Sequence, residues 1–185
     1  MSIATPMRTL DWDAISNAKG IGKVIIKPES ADLIEGVRIH AFPIFPDDRG
    51  YFLEVFRLGE GLPGSFPAAS TQVSAALSYP GTIKAFHYHR HQTDLWCPAQ
   101  GMLQVGLCDL RSGSPTYSQR NTLYVGQLRP WQILIPPGVA HGYKVIGEQA
   151  AMLVYVTDRH YNPADEGRIP HDHAGLNYDW ELQHK

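Results

Sequence analysis

Turn-forming residues divide this chain into many short apolar runs. Its 185 residues include 14 prolines and 17 glycines, which recur at intervals too short for long helices. The runs between them are rich in β-branched and aromatic residues, and several alternate polar and apolar positions as half-buried strands do. We expect a strand in each of these runs: 37–45, 50–56, 71–78, 81–89, 94–99, 102–110, 131–136 and 150–157. Short, evenly spaced strands predict an all-β fold, a jelly-roll β-barrel with short peripheral helices.

The length favours one domain. A chain of 185 residues can bury one sizeable core and is short for two. We therefore expect a single jelly-roll domain over 1–185. Residues 1–23 form its lead-in segment, either a short helix or disordered, and the polar tail 159–185 wraps the outside.

Composition and charge exclude several classes of partner. The formal net charge is -2 and the isoelectric point about 6.5, which favours neither nucleic acid nor an anionic membrane. The first residues lack the unbroken apolar stretch of a signal peptide, and no window resembles a membrane span. Cys97 and Cys108 lie in strand-like runs without metal-type spacing, so we expect reduced core thiols. These features predict a cytoplasmic protein.

Histidines are concentrated in one stretch, GTIKAFHYHRHQTDLWCPAQG, from Gly81 to Gly101. His87, His89 and His91 alternate with other residues, so a continuous strand would point all three to one face. Asp94 follows three residues later. Imidazoles grouped in this way either bind a metal or transfer protons near neutral pH, because histidine titrates there. The alternative is a set of solvated histidines on a loop.

The same stretch resembles the first motif of the cupins, in which two histidines and an acid follow a glycine at fixed intervals. A second cupin-like stretch, IPPGVAHGY at 135–143, adds one more histidine. In metal-binding cupins these residues surround one divalent ion, and nitrogen and oxygen ligands suit Zn, Fe, Mn or Ni. One interpretation is therefore a metal-dependent cupin enzyme with four ligands: His87, His89, Asp94 and His141.

A longer resemblance covers roughly residues 36–180. Five stretches look like those of the nucleotide-sugar epimerases of the dTDP-4-dehydrorhamnose 3,5-epimerase family, in the same order: FPDDRGYFLEVF (45–56), KAFHYH (84–89), DLRSGSPTYS (109–118), IPPGVAHGY (135–143) and YVTDRHYNPADEG (155–167). That family is itself a cupin-type jelly roll, so the resemblance implies the same all-β barrel. It also implies a homodimer, a nucleotide-sugar substrate that is typically dTDP-linked, and neither a metal nor a redox cofactor.

The resemblance further implies roles by position. His87 matches the histidine that removes a proton from the sugar ring, and Tyr155 matches the tyrosine that acts as an acid on the opposite side. The remaining matches are to substrate-binding positions: Arg49 and Glu54 for the nucleotide and diphosphate, Gln72 for a similar task, Tyr161 in the pocket wall, and His141 beside the catalytic histidine. A 4-keto group acidifies the C–H bonds at C3 and C5, so an imidazole of near-neutral pKa can remove a proton there.

Three positions differ from the family pattern. Lys84 stands where the family has an arginine, His89 where it has a glutamine, and Asp94 where it has a lysine expected to stabilise the enolate oxygen. We expect all three side chains to contact the substrate, with Lys84, a protonated His89 or another group holding the oxyanion. The family's C-terminal aspartate, which pairs with the catalytic histidine, has no clear match, and Asp94 is a candidate for that orienting role. The last two changes recreate the cupin ligand set, although we predict no bound metal.

The sequence thus predicts an isomerase that inverts C3, C5 or both in a nucleotide-diphospho-4-keto-6-deoxysugar. Two alternatives remain open. One is the metal-dependent cupin enzyme, and the other is a sugar-nucleotide-binding protein that has kept the pocket and lost the chemistry.

Overall fold

Two β-sheets share an apolar core in the computed structural model, which describes residues 9–181 and 183. Within these residues lie thirteen strands: β1 (Lys23–Val24), β2 (Arg38–Ala41), β3 (Ile44–Asp47), β4 (Gly50–Leu53), β5 (Gln72–Ser78), β6 (Ile83–His89), β7 (Asp94–Gln100), β8 (Met102–Asp109), β9 (Arg120–Gly126), β10 (Trp131–Ile135), β11 (Val139–Ile146), β12 (Ala151–Thr157) and β13 (Glu166–Arg168).

The strands form two large sheets and one separate hairpin. The first sheet has the order β1-β9-β8-β11-β6-β13, the second has the order β2-β10-β7-β12-β5, and β3 pairs only with β4. The sheets are not joined into a closed barrel, so the molecule is an open sandwich of jelly-roll type. The prediction of an all-β fold is confirmed.

The predicted strands are present, and the structure contains further strands that were not predicted from the sequence. Each of the eight predicted runs contains a strand, and the run 37–45 divides into β2 and β3 around Phe42 and Pro43. A proline cannot donate a ladder hydrogen bond, which explains the interruption. Four strands were not predicted: β1, β9, β11 and β13.

The predicted peripheral helices are wrong for the described chain, because residues 9–181 and 183 contain none. It follows that this part of the chain has no helix able to cross a membrane. In the lead-in, Gly22 adopts a positive φ of 67° and packs against the backbone of Arg120, where a side chain would collide. The chain then pairs with β9 through β1. Residues 1–8 of the lead-in and residues 182, 184 and 185 of the tail lie outside the described residues.

The core lies between the two sheets. Leu103, Val105 and Leu107 alternate along β8 and are fully buried against side chains of the second sheet such as Trp96 and Ile133. This burial of apolar surface is the main force that holds the two sheets together.

The outer face of the first sheet is covered by the two ends of the chain. Ile15 from the lead-in and Tyr178 and Trp180 from the tail pack there against Phe86 of β6. Gly106 allows this approach, because a Cβ at that position would lie 2.8 Å from the Tyr178 ring. One face of β6 therefore packs under the tail, and its other face is free to build a site.

The two cysteines are free and buried, as predicted. Burial raises the pKa of Cys97 and of Cys108 to about 12. Thiols of such high pKa carry almost no thiolate near pH 7 and are unreactive core side chains.

Candidate functional site

A cavity of about 900 Å³ is lined by residues of both sheets. Its walls come from β6, β11 and β13 of the first sheet and from β5, β7 and β12 of the second. This volume is in the range of small-molecule sites. The cavity brings together seven of the ten predicted site residues: Gln72, Lys84, His87, His89, Asp94, Tyr155 and Tyr161.

The alternation of β6 places its histidines on the inner face. Phe86 and Tyr88 are buried in the outer cluster, whereas His87 and His89 line the cavity. His141 on β11 is the register partner of His87, and their ring centroids lie 4.1 Å apart.

His91 does not join this group. β6 ends at His89, so the predicted alternation stops there. His91 is exposed and lines a different cavity, of about 390 Å³.

Asp94, the first residue of β7, is only 2% exposed. Its Oδ1 accepts a hydrogen bond of 2.8 Å from Gln92 Nε2, and its Oδ2 accepts one of 3.2 Å from Trp96 Nε1. Each oxygen also faces an imidazole, with His89 Nε2 at 3.8 Å from Oδ1 and His141 Nε2 at 3.4 Å from Oδ2. Burial raises the pKa of Asp94, but contact with His141 and the charges of the histidines outweigh it and hold the pKa well below its usual range. The side chain is therefore a buried carboxylate.

The histidines that line the cavity favour their neutral forms. Burial, followed by the neighbouring His141, keeps the pKa of His87 well below its ordinary value. Burial also lowers the pKa of His89, although Asp94 opposes that shift. A neutral imidazole has a lone pair that can accept a proton or bind a metal.

The opposite wall carries the predicted tyrosines. Tyr155 on β12 is half-buried, lines the cavity and lies opposite Trp96 in the strand register. Tyr161 follows β12, is 58% exposed, and its backbone N–H donates a 3.0 Å hydrogen bond to Gln72 Oε1. Gln72 thus fixes the loop that carries Tyr161 to the cavity.

The other three predicted residues are not part of the cavity wall. His141 lies behind it, next to His87, and Arg49 and Glu54 lie further away in sequence and structure. Arg49 is in the turn between β3 and β4, where its side chain pairs with Asp47 at 2.5 Å. Glu54 follows β4 and pairs with Arg57 at 2.7 Å. Both are exposed, so a role in substrate binding stays a prediction.

Sequence reasoning missed two charged residues of the cavity wall. Glu166 and Arg168 belong to β13, which pairs with β6 and places Arg168 in register with His87. Arg168 Nε donates a 2.6 Å hydrogen bond to Glu166 Oε1, and its side chain is 81% exposed. The only sequence pattern that could have indicated them is the spacing of Glu166 and Arg168 on either side of Gly167, which would place both on one face of a strand. This pattern is weak in a polar, proline-rich tail.

The cluster contains a possible metal-ligand set. Among the described residues, His87, His89, Asp94 and His141 each offer one donor atom, and all four atoms lie within 4.8 Å of one another. The arrangement can therefore do proton chemistry through a neutral imidazole, bind a cation, or do both.

Comparisons with known proteins agree with this architecture. Residues 32–185 match the dTDP-4-dehydrorhamnose 3,5-epimerase sequence family. The spore coat polysaccharide biosynthesis protein SpsL of Bacillus subtilis is 43% identical over 153 residues, which is 82% of this chain and 99% of SpsL. The probable low-salt glycan biosynthesis epimerase Agl13 of Haloferax volcanii is 33% identical over 153 residues, or 81% of this chain and 96% of Agl13.

A solved structure shows the same fold. The dTDP-6-deoxy-D-glucose-3,5-epimerase RmlC of Legionella pneumophila, in complex with dTDP-4-keto-L-rhamnose, superimposes with a TM-score of 0.69. It is 29% identical, and the match covers 81% of either chain.

Proposed function

The chain belongs to the dTDP-4-dehydrorhamnose 3,5-epimerase family, and we propose that it inverts C3, C5 or both in a dTDP-linked 4-keto-6-deoxysugar. The relation to RmlC, whose crystals hold dTDP-4-keto-L-rhamnose, supports this class of substrate. So does a cavity of about 900 Å³ with both polar and aromatic walls.

One observation carries the proposal: an imidazole and a phenol line one cavity from different sheets. His87 belongs to β6 in the first sheet and Tyr155 to β12 in the second. Trp96 lies near both, because its ring is 6.1 Å from His87 and its backbone is in register with Tyr155. Inversion at carbon requires removal of a proton from one face and delivery of a proton to the other, so two groups on opposing walls suit the reaction.

In this mechanism His87 is the general base. The low pKa of His87 keeps its imidazole neutral at pH 7 and able to accept the proton next to the ketone. The C–H electron pair moves toward the ketone oxygen, which gives an enolate. Tyr155 then donates its phenolic proton to the same carbon from the opposite side, and solvent restores both groups.

The charged end of the substrate requires cations. Lys84 and Arg168 line the cavity and are both exposed, so they are the candidates for contact with the diphosphate. Gln72 and Tyr161, which are joined by a hydrogen bond, are candidates for contact with the nucleotide sugar.

We also propose that the functional unit is a homodimer. The β3–β4 hairpin pairs with neither sheet, and it exposes Phe45 and Phe52 by 54% and 67%. The free edge strand β5 exposes Val73 and Leu77 by 54% and 53%. Exposed apolar side chains and an unpaired edge strand are typical of a protein interface, and a second copy of the chain would bury both. A monomer by light scattering at micromolar concentration would contradict this.

The cytoplasmic location remains a prediction.

The test is solvent exchange. Purified protein with dTDP-4-keto-6-deoxyglucose in D2O should incorporate deuterium at C3, C5 or both, as read by NMR of the sugar protons. Tyr155→Phe should lose inversion and retain some exchange, because proton removal by His87 does not require the phenol. Binding of dTDP without any exchange by the wild type would show a binding protein and overturn the proposed activity.

A further inference from the structure

Asp94 is a buried anion without a lysine or arginine partner. Among the described residues, the ionisable nitrogens within 4 Å of its carboxylate belong only to His89 and His141. A buried carboxylate needs a compensating positive charge, because burial removes the stabilisation that water provides. Either a protonated imidazole or a bound cation must supply that charge.

His141 is oriented as a ligand. Its Nδ1 lies 2.8 Å from the carbonyl oxygen of Val139, and a carbonyl can only accept, so Nδ1 carries the proton. Nε2 is buried, has no hydrogen-bond partner in the described chain, and lies 3.4 Å from Asp94 Oδ2. In the neutral ring this nitrogen carries the lone pair, so a cation between it and Asp94 Oδ2 would bind both. An N–H donated to a backbone carbonyl is also the usual support of a metal-bound histidine.

His89 and Asp94 converge in the same way. The amide nitrogen of Gln92 lies 3.2 Å from His89 Nε2 and 2.8 Å from Asp94 Oδ1, so its two N–H groups are shared between two acceptors. If Nε2 accepts from Gln92, Nδ1 of His89 carries the ring proton; it is buried and has no partner in the described chain. A metal ion bound to Nε2 would replace the hydrogen bond from Gln92 to that nitrogen. The second oxygen of Asp94 is held by Trp96. Gln92 and Trp96 thus hold the Asp94 carboxylate in position beside His89.

We propose that His89, Asp94 and His141 bind one divalent transition-metal ion at the base of the cavity. Nitrogen and carboxylate ligands suit Zn²⁺, Fe²⁺, Mn²⁺ or Ni²⁺. Ligand atoms about 2.0–2.1 Å from a tetrahedral zinc lie about 3.4 Å apart, close to the observed separations of 3.4 and 3.8 Å from Asp94.

His87 stays outside this ligand set. It is less buried than the other three, it has neither a contact within 4 Å with Asp94 nor an unpartnered buried nitrogen in the described chain, and it lines the cavity. Its donor atom still lies within 4.8 Å of the other three, so it borders the side of the ion that opens to the cavity. Three protein ligands with one open position are typical of catalytic metal sites.

The role of the ion rests on the proposed function. When bound, it would stabilise the negative charge that builds on the ketone oxygen as His87 removes the neighbouring proton. Lys84, which also lines the cavity, is the other cation that could serve this purpose.

Metal content tests the site directly. Untagged protein, stripped with a chelator and dialysed, is titrated with Zn²⁺ by calorimetry and with Co²⁺ by visible absorption. We expect one ion per chain, micromolar or tighter binding, and Co²⁺ bands typical of nitrogen and oxygen ligands. The variants His89→Ala, Asp94→Asn and His141→Ala should each weaken binding at least about 100-fold. His87→Ala should bind as the wild type does, and so should His91→Ala, a matched control from the same histidine run.

Any result that differs from these expectations contradicts a part of the proposal. Absence of stoichiometric binding by the wild type overturns the site, whatever the variants do. Equal loss in His87→Ala overturns the three-ligand assignment. Circular dichroism of each variant separates ligand loss from unfolding. Deuterium exchange by chelated protein at the full rate would overturn the role of the ion while supporting the epimerase. Metal binding without any exchange would support the site and overturn the epimerase, and with it the role of the ion.

Discussion

The predicted site has two parts: the histidine cluster, formed by His87, His89, Asp94 and His141, and the β3–β4 hairpin. Different interactions fix the side chains of the two parts. The cluster draws on β6, β7 and β11, and long-range strand pairing fixes each side chain. The hairpin pairs only with itself, and Arg49 is held by Asp47, two residues away.

This difference suggests separate tasks, with catalysis in the cluster and substrate binding at the hairpin. Side chains fixed by the sheets can hold reacting groups in place and lose little entropy when the substrate binds. Exposed ion pairs such as that of Arg49 are weak, screened by salt and readily exchanged for a phosphate. We therefore expect substitutions in the cluster to change kcat or stability, and substitutions in the hairpin to change KM.

The largest effect should come from His87→Ala. Removal of a general base commonly lowers kcat by about 10²–10⁴-fold, so deuterium exchange into the 4-keto sugar should nearly stop. His91→Ala, at an exposed position of the same run, should retain the wild-type rate. A kcat of His87→Ala within about tenfold of the wild type would remove the base assignment.

Asp94→Ala should destabilise the protein by about 2–4 kcal/mol in urea denaturation of chelated samples. The substitution leaves the N–H donors of Gln92 and Trp96 buried without their acceptor. Asp48→Ala on the hairpin is the matched control, and its unfolding midpoint should not move, because that side chain is 95% exposed. Equal stability of Asp94→Ala and the wild type would mean that the buried carboxylate contributes nothing to the fold.

Acid should weaken the cluster before it affects the hairpin. In the unfolded chain His87 has a pKa of ~6.5, whereas in the folded chain its pKa is lower. Between these two pKa values the unfolded state binds a proton that the folded state does not. The free energy of unfolding contributed by His87 is thus complete above ~6.5 and is lost as pH falls toward the folded pKa, by up to about 1.4 kcal/mol per pH unit. The low pKa of Asp94 acts only below ~4.

Urea denaturation of chelated protein at pH 7 and pH 5 measures this dependence. The loss of stability between the two should be smaller in His87→Gln than in the wild type. His40→Gln, at an exposed position of β2, should keep the wild-type dependence. A wild-type stability that rises on acidification would contradict the sign.

The cluster was largely predictable from the sequence, for reasons that the structure makes plain. The strand period of two places His87 and His89 on one face, and the turn IPPG returns the chain to β11, so His141 reaches them. The ligand geometry of Asp94 was not predictable, because Gln92 and Trp96 carry no pattern of their own. Arg168 was missed for another reason: β13 pairs with β6 about eighty residues away, and three residues give no periodicity.

The smallest effect concerns Arg49, the member of the hairpin that the family resemblance assigns to the nucleotide and diphosphate. Its side chain is 84% exposed, and its ion pairs within the described chain are with the neighbouring Asp47 and Asp48, so exchanging these for a phosphate costs little. We expect Arg49→Ala to raise KM for the nucleotide sugar about tenfold, with kcat within about twofold. Steady-state kinetics at two salt concentrations checks this, because loss of a phosphate contact also reduces the salt dependence of KM. Arg38→Ala, at an exposed position of β2, is the control for general charge loss and should leave KM unchanged. An unchanged KM in Arg49→Ala would show that the hairpin takes no part in binding and would confine the site to the cavity.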